Sequence, residues 1–162
     1  MADSTETTQV YRVFIKAPPQ AIWDAITRPE WSEQYGYGGR VAYELKAGGR
    51  FYHQASPEMK GAGLPDEMIV GEVIESDPPR KLVQTWHPVW DAASAAEPHT
   101  RLTFEITEYS GGVSMLTVTH DVTGAPIVAR MVPGQGDPNQ GGGGWPWVLS
   151  DIKSLLETGK RM

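Results

Sequence analysis

The sequence predicts an α+β fold in which a curved antiparallel sheet of about seven strands surrounds one long C-terminal helix. Three observations support this prediction. Strand-like segments follow one another without regularly alternating helices, which favours an antiparallel sheet over a parallel one. Two short helical segments separate the first strand from the second. The chain ends in an amphipathic helical segment that opens on Trp145, Pro146 and Trp147.

The first strand is expected from Gln9 to Lys16, where β-branched and aromatic residues are frequent. Two prolines follow it. The next residues predict a short helix that closes at Pro29, because a proline disfavours helical geometry in the residue before it. Glu30 to Tyr35 are expected to form a further helical turn. Two short helices are therefore predicted between the first and second strands.

Six more strands are expected before the terminal helix. The clearest alternation runs from Thr100 to Thr107, where Leu102, Phe104 and Ile106 share one face and polar side chains take the other. A long loop rich in glycine and proline is expected from Asp121 to Gly144. The other five strands are expected at Val41 to Leu45, Arg50 to Gln54, Glu67 to Glu75, Lys81 to His87 and Val113 to His120.

The terminal helix has one apolar face and marked ends. Pro146 suits the first turn, and Gly159 suits the position just past the last turn, where a left-handed conformation is common. Its apolar face is predicted to pack against the sheet and consists of Val148, Leu149, Ile152, Leu155 and Leu156. Its exposed face is predicted to consist of Ser150, Asp151, Lys153, Ser154 and Glu157.

Length and composition favour one domain. The 162 residues suffice for a single core, and we expect a flexible N-terminus at 1–8 followed by one domain at 9–160. The net charge of -6 opposes binding to nucleic acid or anionic membrane. The absence of cysteine excludes disulfides and thiolate metal sites. We expect a cytoplasmic monomer or weak homodimer without membrane insertion.

Four segments carry a family resemblance: IKAPPQAIWDAITRPEW, AGGRF, VIESDPPRKLVQTW and GWPWVLSDIKSLLETG. Together they resemble the activator of heat-shock protein 90 ATPase homologue-like family, within the START-like, polyketide cyclase-like superfamily (SRPBCC). The similarity spans roughly Val10 to Gly159. It implies the helix-grip fold, with a hydrophobic cavity between sheet and helix. It does not imply one activity, because this fold occurs in lipid carriers, aromatic cyclases, co-chaperone domains and antibiotic-resistance proteins.

Aromatic residues dominate the candidate ligand site, because they offer a large apolar surface together with N–H or O–H groups. Trp31, Tyr35 and Tyr37 are predicted at the rim, and the two indoles of the terminal helix at the mouth. Simple packing in the core is the competing interpretation. The full set of predicted ligand-binding residues is Trp31, Tyr35, Tyr37, Phe51, His53, Trp86, Trp90, Phe104, Leu116, Val118, His120, Trp145, Trp147, Val148 and Ile152.

His53 and His120 fall on predicted inward faces and are the candidate catalytic acid–base residues. A hydrogen-bonded core histidine is the competing interpretation. The four histidines lack metal-ligand spacing, so we expect no metal and no cofactor. The glycine run at 141–144 is interpreted as a hinge for a loop over the cavity.

The leading hypothesis is a protein that binds a hydrophobic, aromatic or polyketide-like small molecule, with natural-product biosynthesis or self-resistance as its setting. A cyclase or hydrolase that uses the cavity histidines is one alternative. A protein that activates a chaperone ATPase through an exposed face is another. The sequence favours binding over catalysis, because it contains no recognisable nucleophile motif.

Overall fold

A seven-stranded antiparallel sheet forms the body of the computed structural model, which describes residues 7–162. The strands lie side by side in the order β1-β7-β6-β5-β4-β3-β2, so β1 and β2 form the two edges. The predicted sheet is confirmed. The strands are β1 (Thr8–Ile15), β2 (Arg40–Tyr43), β3 (Arg50–Gln54), β4 (Glu67–Asp77), β5 (Lys81–Pro88), β6 (Thr100–Glu108) and β7 (Ser114–Asp121).

The described residues also contain six α-helices: α1 (Pro19–Thr27), α2 (Pro29–Ser32), α3 (Pro57–Gly61), α4 (Ala92–Ala95), α5 (Pro126–Met131) and α6 (Gly144–Thr158). The two short helices predicted between β1 and β2 are α1 and α2. The long α6 against a curved antiparallel sheet confirms the helix-grip fold. Of the predicted flexible N-terminus, residues 1–6 lie outside the described residues, and Thr8 already belongs to β1.

The inner face of the sheet is largely apolar, and α6 packs against it. The alternation predicted for β6 is confirmed, because Leu102, Phe104 and Ile106 are buried while Arg101 and Glu105 are exposed. On the neighbouring strand β7, the partners of the three buried residues are His120, Val118 and Leu116, which are all buried as well. Leu149, Ile152 and Leu155 of α6 are buried in turn.

Helix α5 corrects the prediction that 121–144 is one long loop. It has only six residues, too few for a helical period to be visible in the sequence. Its Val128 is fully buried. The carboxylate of Glu97 accepts hydrogen bonds from the first-turn amides of Ile127 and Val128, at 2.7 and 3.3 Å. A remote side chain therefore supplies the cap that the adjoining sequence lacks.

Asp151 corrects the prediction that the polar side of α6 faces solvent. Its side chain is fully buried. Oδ2 accepts a hydrogen bond from the Gly36 amide at 2.8 Å, and Arg161 Nη2 donates to the same oxygen at 3.3 Å. Oδ1 accepts one from the Met162 amide at 2.7 Å. The prediction was wrong because the loop after α2 and the C-terminal residues cover this side of the helix.

The glycine-rich segment before α6 packs backbone directly against backbone. A Cβ on Gly134 would lie 1.9 Å from the Gly143 carbonyl oxygen, and one on Gly144 would lie 2.3 Å from that of Val132. The Trp145 amide also donates to the Val132 carbonyl at 2.9 Å. In this conformation the glycines therefore permit a close contact between two backbone segments.

Candidate functional site

Four of the predicted ligand-binding residues meet between the sheet and the start of α6, and we call them the aromatic cluster: Trp86, Phe104, His120 and Trp145. The Trp145 ring lies 5.9 Å from Phe104, 6.1 Å from His120 and 6.5 Å from Trp86, measured between ring centroids. Trp86 and His120 meet edge to face at 5.1 Å. These distances are those of directly interacting aromatic rings. The sheet and the first turn of α6 are thus joined by aromatic packing.

Hydrogen bonds fix His120 within this cluster. Trp145 Nε1 donates to its Nδ1 at 3.1 Å, and Nε2 lies 2.8 Å from the Thr100 hydroxyl. That hydroxyl donates to the Trp86 carbonyl at 2.8 Å, so Nε2 carries the proton of a neutral ring. Burial lowers the pKa of His120 to about 4, and nearby Asp121 offsets only part of this effect. His120 therefore connects α6 to three strands as a neutral residue.

His53 lies on β3 near one end of the inner face. Its Nε2 atom is buried and makes no hydrogen bond of good geometry among residues 7–162, although the Gly39 backbone lies close enough to interact with the ring. The ring lies against Gly39, where an added Cβ would come within 2.3 Å of Nε2. Burial lowers the pKa of His53 to about 4, and the Gly39 backbone offsets part of this. A group with this pKa is a weak base at neutral pH, and the same holds for His120.

Tyr37 joins the loop after α2 to the segment before α6. Its hydroxyl donates to the Pro138 carbonyl at 3.0 Å and accepts from the Gly143 amide at 2.9 Å. Trp147 packs against the same glycine, where an added Cβ would lie 2.4 Å from the Trp147 Cβ atom. Trp147 Nε1 is buried without a hydrogen-bond partner in the described part of the chain.

A cavity of about 470 Å³ opens beside Tyr37, and we call it the mouth cavity. Two of its charged side chains have ionic partners, since Glu33 pairs with Arg40 at 2.7 Å and Arg161 with Asp151 at 3.3 Å. Of the predicted ligand-binding residues, Tyr37 belongs to its lining. The lining consists of Glu33, Gly36, Tyr37, Gly38, Ser56, Pro57, Glu58 and Arg161.

The remaining predicted ligand-binding residues are part of the packed interior or its border. Tyr35 donates to the Ala25 carbonyl at 2.8 Å, and its burial raises its pKa. Val148 lies beside Gly36, at 3.5 Å from the position of an added Cβ. Phe51, Leu116, Val118 and Ile152 are buried in the core, while Trp31 and Trp90 are partly buried and pack against it.

Sequence reasoning missed a buried polar pair on the inner face. Tyr43 of β2 donates to Gln84 Oε1 of β5 at 2.6 Å, and Gln84 is fully buried. Burial raises the pKa of Tyr43, and the neighbouring Tyr35 raises it further. Strand alternation would have found Gln84, because it lies between Leu82 and Trp86, which also face inward. Its partner on a distant strand has no local signal.

A smaller cavity of about 210 Å³ lies across β4 to β7 and includes Ile74, Thr85, His99, Arg101, Asp121 and Thr123. Within residues 7–162, no group of three or more His, Cys, Asp or Glu side chains is placed to hold a metal ion. Over the same residues, no helix has the length and apolar character needed to cross a membrane.

The sequence profile of the family described as Activator of Hsp90 ATPase homolog 1-like protein matches residues 16–157. The chain belongs to this family. The match includes every described helix and strand except β1, which ends at Ile15, and the final residue of α6. A comparison with curated proteins found no match.

Solved structures of the same fold include CalU16 from Micromonospora echinospora, 21% identical, with a TM-score of 0.62 over 95% of this chain and 67% of that chain. DynU16, from the dynemicin biosynthetic locus, is 21% identical with a TM-score of 0.67 over 96% of this chain. PFC0360w, an HSP90 activator from Plasmodium falciparum, is 21% identical with a TM-score of 0.54 over 71% of this chain and 72% of that chain. This chain spans 49% of the DynU16 chain. CalU16 has also been solved as a crystal structure, and this chain spans 59% of the CalU16 chain there.

Proposed function

We propose that this family member binds a hydrophobic aromatic small molecule that enters through the mouth cavity and extends toward the aromatic cluster. The mouth cavity carries this proposal, because its volume of about 470 Å³ suits a small-molecule site and it lies beside the start of α6. DynU16 comes from a natural-product biosynthetic locus, which supports a ligand of natural-product type.

The route inward passes Tyr37, which lines the mouth cavity and also holds the segment before α6 through two hydrogen bonds. A ligand that displaces this side chain would reach the residues just before α6, which Tyr37 otherwise holds. The aromatic rings of Tyr37 and of the aromatic cluster favour a planar ligand over a flexible aliphatic one, because offset stacking adds to the burial of apolar area.

The experiment uses the neutral dye N-phenyl-1-naphthylamine, whose fluorescence rises in an apolar site. Because the chain has no cysteine, Glu58→Cys places one reactive thiol in the lining of the mouth cavity. We expect saturable binding of one dye per chain before labelling with a bulky maleimide and loss of that binding afterwards. Thr123→Cys, in the smaller cavity, is the matched control and should bind dye in both states. Binding that persists in labelled Glu58→Cys, or that is absent from the unmodified chain, would contradict the proposal.

Contact with a chaperone is the second candidate function. The family description and the P. falciparum relative favour it, and an exposed aromatic pair offers a surface. Phe14 is 54% exposed and Tyr109 is 47% exposed, with ring centroids 6.0 Å apart at the β1 edge of the sheet. We expect purified Hsp90 to hydrolyse ATP faster with this protein than with a Phe14→Ser, Tyr109→Ser double variant. Equal rates with and without the unmodified protein would exclude this function.

A further inference from the structure

The chain turns back after α6 and brings Arg161 to the mouth cavity. Gly159, with a φ of 80°, ends the helix in the left-handed conformation that permits this reversal. The Lys160 carbonyl then accepts hydrogen bonds from the hydroxyls of Ser154 and Thr158 at 2.8 and 3.2 Å, which hold the reversed segment against the helix. Arg161 follows directly and belongs to the lining of the mouth cavity.

One nitrogen of the Arg161 guanidinium is fixed within the protein. Nη2 donates to the Gly36 carbonyl at 2.6 Å and to Asp151 Oδ2 at 3.3 Å. Asp151 is itself held in place, because it is fully buried and also accepts hydrogen bonds from the amides of Gly36 and Met162. A side chain anchored in this way loses less conformational freedom on binding a ligand than a free arginine does.

The other two guanidinium nitrogens of Arg161, Nε and Nη1, donate no hydrogen bond to any of residues 7–162. They carry three of the five N–H groups of an arginine. The side chain is 49% exposed, and in the described part of the chain it is the one cationic member of the cavity lining. Arg161 therefore has donors left for a molecule in the mouth cavity.

The anchoring of Nη2 restricts which oxygen groups Arg161 can still bind. A guanidinium binds a carboxylate through two parallel N–H groups, which come either from Nη1 and Nη2 or from Nε and Nη2. Nη2 belongs to both pairs, and its two N–H groups are taken by two protein oxygens. The free N–H groups on Nε and Nη1 point in different directions, so each of them serves a single oxygen atom.

The charges around the mouth cavity also disfavour a carboxylate. Buried Asp151 balances the positive charge of Arg161, while Glu33 and Glu58 add two carboxylates to the lining. Arg40 balances the first of these through the ion pair with Glu33. The remaining negative charge repels an anion. A carbonyl oxygen is uncharged and needs only one donor, so it meets neither obstacle.

We infer that the ligand is an uncharged aromatic ketone or quinone, and that Arg161 is a specificity-determining residue that donates one hydrogen bond to its carbonyl oxygen. This inference rests on the proposed small-molecule function. It adds the chemical class of the ligand, the residue that recognises it and the discrimination against carboxylates.

Three probes with one ring system test this inference: fluorene, 9-fluorenone and fluorene-9-carboxylate. Their affinities are measured by displacement of N-phenyl-1-naphthylamine. We expect 9-fluorenone to bind about tenfold more tightly than fluorene, because its carbonyl accepts a hydrogen bond from a charged donor. We expect the carboxylate to bind most weakly.

Arg161→Met removes the donors and keeps an unbranched apolar side chain. We expect this variant to lose the preference for 9-fluorenone while its affinity for fluorene changes little. Lys160→Met is the matched control, because Lys160 is the exposed neighbour and its replacement removes the same charge. This control should keep the preference. Urea unfolding of both variants verifies that they are folded.

Infrared spectroscopy provides a second readout at the ligand carbonyl. A ketone that accepts a hydrogen bond absorbs at lower wavenumber, and the ketone band of 9-fluorenone is separate from the amide bands of the protein. We expect the bound ketone to absorb at lower wavenumber in the unmodified chain and in Lys160→Met than in Arg161→Met. A purely structural role of Arg161 would leave this band unchanged.

The possible failures are distinguishable. If the dye binds saturably but no probe displaces it, or if the preference for 9-fluorenone is absent or survives in Arg161→Met, the inference is overturned and the proposed small-molecule function stands. Loss of the preference in Lys160→Met would assign the effect to net charge and would overturn the inference as well. Tightest binding of fluorene-9-carboxylate would do the same. Absence of dye binding to the unmodified chain would overturn both the inference and the function on which it rests.

Discussion

Replacing Asp151 with alanine is expected to lower the free energy of unfolding by about 3 kcal/mol. The carboxylate is fully buried and accepts hydrogen bonds from Gly36, Arg161 and Met162. Alanine would remove all three at once and leave the buried Gly36 amide without an acceptor. Arg161, whose side chain is 49% exposed, can turn to solvent, so the main loss comes from the two amide bonds and the cavity.

Urea unfolding followed by tryptophan fluorescence measures this effect. Asp151→Asn keeps one acceptor oxygen in nearly the same volume, so we expect it to lose less stability than the alanine variant. Glu105→Ala on the exposed face of β6 is the matched control and should change stability by less than about 0.5 kcal/mol. An Asp151→Ala variant as stable as that control would show that the hydrogen bonds to Asp151 add nothing to stability.

Lowering the pH from 7 to 5 is expected to destabilise the protein through His53 and His120. Burial lowers the pKa of each to about 4 in the folded chain, against the ordinary value of 6.5. Between these values the unfolded chain binds protons that the folded chain does not, so stability rises with pH and falls on acidification. The slope is at most about 1.4 kcal/mol per pH unit for each histidine, or roughly 2 kcal/mol each by pH 5.

Urea unfolding at pH 7, 6 and 5 tests this dependence. Above pH 5 most Asp and Glu side chains stay ionised, so histidines dominate the slope. His120→Asn cannot titrate, and we expect it to remove about half of the slope while lowering stability at every pH, since it breaks the Trp145 and Thr100 bonds. A full slope in His120→Asn would mean that His120 titrates with an ordinary pKa in the folded protein.

Much of the fold could be predicted from local pattern. The alternation of Leu102, Phe104 and Ile106 indicated a strand with one buried face, and the structure confirms it. Gly159 was predicted just past the last turn of α6, and it caps that helix with a φ of 80°. These signals are readable because burial of apolar side chains repeats with the period of the strand or helix.

Three of the short helices left no such signal. Helices α3, α4 and α5 have between four and six residues, so a helical period cannot develop within them. Each begins instead at a specific hydrogen bond or buried contact. For α5 the capping carboxylate comes from Glu97, about thirty residues earlier, which local sequence cannot reveal.

Inward placement of two members of the aromatic cluster could be predicted, but the internal order of the cluster could not. Phe104 and His120 were assigned to inner faces from strand parity, and both are buried. That the indole of Trp145 reaches His120, and that Thr100 fixes the opposite ring nitrogen, depends on how α6 crosses the sheet.

The sequence by itself determined the family, the seven strands and the apolar stripe of α6, because these follow from patterns within short segments. Only the tertiary structure decided which polar groups are buried. Asp151 lies on the polar side of the helix by pattern, yet it is buried against Gly36, which lies 115 residues away along the chain. The physical reason is that apolar burial is nondirectional and recurs periodically, whereas a hydrogen bond requires two particular atoms to meet at a fixed distance and angle.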